Sequence, residues 1–242
     1  MSLADVITYV NGKEKTLVVF NPTDSTLVAD LRDYFSTQNV AIDGAQTRSG
    51  EPANVAVLRH NGEVLASVPA AQLQELLAGG GLRETGVGID DADYHEILQH
   101  LKETTFTSAK NAEMVTISHE IEDRALRVGG GRLLVGFQKP AKLNDQADRY
   151  ERLATREIDV HTFAVPGPPV DIDGLTHHSE PHPEIRESWV VVFDGDGEAD
   201  YKTALLAVER APNRFDGFWS DDPEIVDSIE THLERTYLTV AP

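Results

Sequence analysis

FTSAKNAEMVTISHEIEDRALRVGGGRLLVGFQK, residues 106–139, is the stretch around which the rest of the chain is organised. Met114, Ile117, Ile121, Ala125 and Val128 recur at intervals of three and four, which lines up one face of a helix. Ser108 suits the N-cap, because its hydroxyl can accept an orphan amide N–H of the first turn. Gly129, Gly130 and Gly131 end the helix, since glycine accepts the left-handed turn that closes one. Leu133, Leu134, Val135 and Phe137 then form an almost continuous apolar run, the pattern of a strand covered on both faces. The spacing therefore predicts a helix that passes through three glycines into a central strand.

Towards the C-terminus, Pro140 stops that strand, and Leu143, Ala147, Tyr150 and Leu153 mark an amphipathic helix. Val160 to Val165 reads as a strand about 30 residues after the first, the length of a right-handed βαβ unit. Residues 166–187, PGPPVDIDGLTHHSEPHPEIRE, read as one long loop. Trp189 to Phe193, Thr203 to Val208 and Phe215 to Trp219 read as an antiparallel meander, with Asp194-Gly195-Asp196-Gly197 at its first turn. Pro223, after Asp221 and Asp222, opens a closing helix bearing Ile225, Ile229 and Leu233.

Towards the N-terminus, Leu3, Val6, Ile7 and Val10 mark a short helix within 1–14, and Thr16 to Phe20 a strand. A helix from Ser25 or Thr26 carries Leu27, Leu31 and Phe35. Strands at 40–42, 54–59 and 64–68 follow, the last two joined at Asn61-Gly62, a two-residue hairpin signal. A helix covers 70–77, residues 79–89 read as a linker, and 91–103 as a helix with Tyr94, Ile97, Leu98 and Leu101. The fold class expected is α/β: a mixed sheet with a βαβ unit and a C-terminal antiparallel meander, helices on both faces, preceded by a smaller α/β lobe. The domains expected are 1–85 and 104–232.

The chain has 242 residues and a net charge of -20, from 41 acidic and 21 basic side chains. Of the basic residues 14 are Arg and only 7 Lys, and the acidity runs along the whole length. Distributed carboxylates with scarce lysine suit a protein kept hydrated in a salt-rich cytoplasm. Nucleic acid is disfavoured as a partner by the lack of a basic cluster, and none is expected. With no cysteine, disulfides and thiolate chemistry are excluded. No apolar run approaches the roughly 20 residues of a membrane span, and no signal peptide is visible, so a cytoplasmic protein is expected.

Several patterns fail as catalytic or metal motifs. His119-Glu120 lacks the second histidine of a zinc-binding HExxH helix. The glycines of GGGRLLVG precede a strand, whereas a dinucleotide fingerprint follows one and opens a helix. Asp194, Asp196, Glu198 and Asp200 alternate as in a calcium loop, but Ala199 and Leu205 stand where the glycine and glutamate belong. Glu120 with Arg124 and Asp123 with Arg127 have the spacing of helix-surface ion pairs. Trp189, Phe215, Phe218 and Trp219 can wall an apolar pocket or fill a core. His177, His178 and His182, with Asp171 or Asp173, define the enzymatic alternative, a metal-dependent hydrolase.

The segments SAKNAEMVTISHEIEDRA, RLLVGFQ and FDGFWSDDPEIVD resemble the DICT family, sensory domains found beside diguanylate cyclases and in two-component signalling proteins. Three features carry the resemblance: Ser118 with Ile121-Glu122, Gly136-Phe137-Gln138, and Gly217-Phe218-Trp219 followed by Asp222. It covers about 104–232, and the first lobe corresponds to the extra N-terminal region of free-standing halophile-type members. It implies non-catalytic signal input, with a small-molecule ligand or a signalling protein as partner, and it is compatible with a homodimer. It supplies no cofactor. No cyclase, kinase or phosphoacceptor domain follows, so the expectation is that the output lies on another chain or that the family role has drifted.

Ligands of open α/β sheets gather outside the carboxyl ends of parallel strands. The ligand-binding residues expected are therefore Ser118, Glu122, Phe137, Gln138 and Trp219. The competing expectation is that Gln138 caps the next helix, Glu122 pairs with a buried arginine and Trp219 is core. The charge makes its own prediction. Carboxylate repulsion is screened by salt, so the melting temperature should climb steeply from low to multimolar KCl. A flat curve would mark an ordinary acidic protein.

Overall fold

The computed structural model describes residues 2–36, 38–79, 97, 100, 101 and 103–238, and the chain divides into two units, 11–104 and 1–10 with 105–242. The linker read at 79–89 and the helix read at 91–103 lie almost wholly outside the described residues.

The opening helix α1 (Leu3–Gly12) is followed by β1 (Lys15–Phe20), α2 (Leu27–Tyr34), β2 (Val40–Ala45), β3 (Val55–His60), β4 (Glu63–Pro69) and α3 (Ala70–Gly79). In the smaller unit the strand order is β2-β1-β3-β4, with β1 parallel to β2 and antiparallel to β3. Asn61 (φ 49°) and Gly62 (φ 86°) both take the left-handed conformation that a tight hairpin demands, which joins β3 to β4. Leu17, Val19, Leu31, Phe35, Leu58 and Leu73 are at the centre of its core.

The larger unit holds β5 (Glu103–Lys110), α4 (Asn111–Val128), β6 (Gly130–Gly136), α5 (Pro140–Asn144), α6 (Ala147–Ala154) and β7 (Glu157–Ala164). After these come β8 (Thr176–Ser179), α7 (Pro183–Glu187), β9 (Ser188–Phe193), β10 (Thr203–Ala211), β11 (Arg214–Ser220) and α8 (Pro223–Leu233). The order is β5-β11-β10-β9-β6-β7-β8. Strand β6 is internal, parallel to β7 and antiparallel to β9, and β9, β10 and β11 form the expected antiparallel meander. This is the expected mixed α/β class.

Alternation along β6 explains its continuous apolar run. Leu134 joins a core with α1 and α8 through Leu3, Val6, Phe218, Ile225 and Ile229. Leu133 and Val135 join a second core with α4 and α6 through Met114, Ile121, Tyr150 and Leu153. Helices thus cover both faces, and successive side chains feed opposite layers. Helix α1, read from the sequence with the first lobe, packs in this larger unit. The Leu3 N–H donates to Glu184 Oε1 (2.7 Å), and Glu184 Oε2 accepts from the Tyr237 hydroxyl (2.6 Å) and bonds His232 Nε2 (2.7 Å).

Four expectations are corrected. Ser108 lies in β5, so it is not the N-cap; α4 begins at Asn111, where the Glu113 carboxylate accepts the Lys110 N–H at 2.6 Å. The segment 166–187 is not one loop, because β8 pairs parallel with β7 and α7 follows. The two helix-surface pairs on α4 exchange partners. Arg124 bonds Asp221 (2.9 Å) and Arg127 bonds Glu120 (3.1 Å), while Asp123 goes to Arg149 (2.8 Å). Long side chains reach the nearest carboxylate in space, and tertiary neighbours compete with the next helical turn.

The triple glycine has a structural task. Gly129 (φ 84°) closes α4 with its N–H on the Ala125 carbonyl. Gly131 (φ 84°) lies against the turn after β9, where a Cβ would meet the Asp194 carboxylate and stand 2.8 Å from the Asp196 backbone nitrogen. Asp194 Oδ1 there accepts the N–H groups of Arg132 (2.8 Å) and Asp196 (2.9 Å). Gly131→Ala should therefore cost about 1–3 kcal/mol or more in urea denaturation. An unchanged midpoint would show that the turn yields freely.

Candidate functional site

Where β6 ends, the backbone turns sharply. The Phe137 N–H still donates to the Phe163 carbonyl (2.8 Å), and Gln138 then takes the left-handed region at φ 57°. Pro140 starts α5 at once, its fixed φ suiting a first helical turn. One turn on, Lys142 reaches back and donates from Nζ to Gln138 Oε1 at 2.6 Å. Gln138 Nε2 lies 3.5 Å from Glu209 Oε2.

The Lys142 ammonium also sits 5.2 Å above the centre of the Trp189 ring, at the start of β9. Trp189 is fixed by two contacts. Its Nε1–H donates to Ser118 Oγ (2.9 Å), which in turn donates to the Met114 carbonyl (2.9 Å), and its ring meets Phe215 edge-on at 5.4 Å. Burial pushes the Lys142 ammonium below its ordinary pKa, with Glu209 opposing and Lys139 adding to the shift. Gln138, Lys142 and Trp189 line a cavity of about 160 Å³ together with Asn111, Val115, Gly136, Phe137, Asp145 and Gln146.

Behind the cavity stands a buried ion pair. Phe137 packs edge-on against Tyr150 (5.2 Å), whose hydroxyl donates to Glu122 Oε1 at 2.6 Å. Arg149 Nε bonds Glu122 Oε2, and its Nη2 donates to the His119 carbonyl (2.8 Å) and Asp123 Oδ1 (2.8 Å). Burial pushes the Glu122 carboxyl up, against the pull of Tyr150 and Arg149. Burial also lowers Arg149, but the carboxylates of Glu122 and Asp123 more than restore it. The Tyr150 hydroxyl is held far above its usual range by burial and by Glu122.

Of the residues expected at the site, Phe137 and Gln138 line the cavity. Ser118 acts from behind by holding Trp189, and Glu122 is spent on Arg149 and Tyr150. Trp219 is not among the lining residues; its Nε1–H donates to Thr203 Oγ1 at 2.8 Å. Lys142 and Gln146 were missed. The available signal was the four-residue spacing from Gln138 to Lys142 across a helix-starting proline. Trp189 walls the cavity, whereas Phe218 fills the opposite core.

The three histidines of the hydrolase alternative do not converge. His177 and His178 are consecutive in β8 and point to opposite faces. His177 Nδ1 bonds Thr162 Oγ1 (3.0 Å), and His178 Nε2 bonds His161 Nδ1 (3.0 Å). His182 caps α7 by accepting the Glu184 N–H (3.2 Å). Among the described residues no three His, Asp or Glu side chains gather as metal ligands.

The family model for DICT, described as the sensory domain in diguanylate cyclases and two-component systems, matches residues 94–210. The resemblance read from the sequence stands for this segment, which holds β5 to most of β10 and every residue lining the cavity. The match ends before Gly217-Phe218-Trp219. No curated protein matches the chain. Among solved structures it is similar to TrmBL2, an archaeal chromatin protein, at 12% identity and TM-score 0.41, covering 68% of this chain and 59% of that one. It is also similar to a polyphosphate kinase from Porphyromonas gingivalis, at 10% identity and TM-score 0.36, covering 96% of this chain and 47% of that one. The chain thus spans less than two thirds of the length of either. No helix among the described residues is long and apolar enough to cross a membrane.

The ion pair behind the cavity gives a direct prediction. Arg149→Met leaves a buried carboxylate uncompensated and should cost about 3–5 kcal/mol. Glu122→Gln keeps hydrogen-bonding atoms in place and should cost less, about 1–3 kcal/mol. Urea denaturation of both variants checks the order. An Arg149→Met midpoint equal to the wild type would remove the pair from the structural account.

Proposed function

We propose that this protein is a non-catalytic signal-input module whose cavity at the end of β6 receives a small-molecule ligand. The observation that carries this reading is the cavity itself. It opens where the central strand ends, beyond the carboxyl end of the parallel pair β6 and β7, and aromatic and amide groups converge there. The matched family supports it, being one of sensory domains in signalling proteins. The Glu122–Arg149–Tyr150 cluster ties α4 to α6 behind the cavity, so occupancy can bias these two helices together.

The scattered histidines disfavour the hydrolase alternative. The net charge of -20 supports action in a salt-rich cytoplasm.

A fragment screen by thermal shift tests the reading with wild type and Val115→Trp, which fills the cavity. A true ligand at ten times its Kd should raise the wild-type melting temperature by about 3–6 °C. The shift should vanish in Val115→Trp. Fragments that shift both proteins equally, or none that shifts the wild type, would overturn the proposal.

A further inference from the structure

The cavity has both a size and a polarity. At about 160 Å³ it is close to the roughly 150 Å³ of an engineered apolar cavity that takes benzene, so it suits one six-membered ring. Val115, Phe137 and Trp189 offer that ring an apolar and aromatic wall.

The unsatisfied hydrogen-bonding capacity is donor-rich. Lys142 gives one N–H to the neutral Gln138 Oε1, and the Glu209 carboxylate acts on it only from beyond ion-pair distance. An ammonium has three donors, so two remain. Gln146 Oε1 bonds His119 Nε2 (3.2 Å); because that oxygen can only accept, the ring nitrogen donates and the Gln146 amide keeps both its N–H groups. Asp145, the acidic lining residue, is exposed to solvent, where its charge is screened.

We propose that the cavity binds a single-ring aromatic carboxylate of the benzoate class, its ring against Phe137 and Trp189 and its carboxylate on Lys142 Nζ and the Gln146 amide. This rests on the ligand-binding reading above and adds the ligand's charge and shape. A carboxylate would return to Lys142 the stabilisation that burial removes.

Calorimetric titration with benzoate, benzamide and acetate tests it, in parallel with Trp189 fluorescence in a Trp219→Phe background. Benzoate should bind at least about tenfold more tightly than benzamide, the neutral isostere, because the charge-assisted bonds are lost. Acetate should be weak for want of a ring. Lys142→Met should abolish the preference for benzoate over benzamide. Gln146→Glu, which keeps an acceptor for His119, should weaken benzoate and spare benzamide, so the proposal stays testable should Lys142→Met fold poorly. Benzamide binding as well as benzoate, or a preference that survives both variants, overturns the carboxylate assignment while the cavity remains a ligand site. Failure of both ring compounds to bind overturns this inference, and a blank fragment screen beside it removes the ligand-binding reading as well.

Discussion

Burial of β6 on both faces is the constraint on which the larger unit depends. A strand flanked by β7 and β9 and covered above and below has no solvent-facing side, so Leu133, Leu134 and Val135 must all be apolar. Its entry and exit are then restricted. At the entry, Gly131 lets the turn after β9 approach closely enough for Asp194 to hold the Arg132 N–H. At the exit, Gln138 takes a left-handed conformation and Pro140 begins a helix immediately, which folds Lys142 back over the strand end.

The same constraint explains why charged groups are found beneath the cavity. Helix α4 crosses the face of β6 that carries Leu133 and Val135, and Ser118 and Glu122 point inwards with the apolar residues. A carboxylate so placed is tolerable only when it is paired and its remaining lone pairs are engaged. Arg149 and Tyr150, adjacent on α6, meet both requirements. Ser118 is satisfied in turn by Met114 and Trp189, so each inward polar group of α4 fixes an element around the cavity. These polar residues therefore contribute orientation as well as stability.

The cavity and the histidines show how strand geometry sorts candidates. Side chains one residue apart on β8 diverge, which separates His177 from His178 however suggestive the pair looks in sequence. Residues far apart in sequence converge instead, as Val115, Phe137, Lys142 and Trp189 do around one volume of about 160 Å³. A site assembled from three separate segments leaves no compact motif.

The sequence by itself determined the elements whose signal is local. Helical spacing marked α4, the glycines its end, the apolar run β6, Asn61-Gly62 the hairpin, and Pro223 after Asp222 the start of α8. These follow from backbone preferences and side-chain periodicity, which act over a few residues. It also placed Phe137 and Gln138 at the rim, because the end of a parallel strand is a positional rule. Only the tertiary structure decided the rest: α1 packing with the C-terminal sheet, Asp123 bonding Arg149, β8 forming inside a proline-rich segment, and Lys142 and Trp189 enclosing the cavity in place of Trp219. Each of these is a choice among partners distant along the chain. Such choices are settled by packing geometry and proximity in three dimensions, for which composition and spacing carry no local signal.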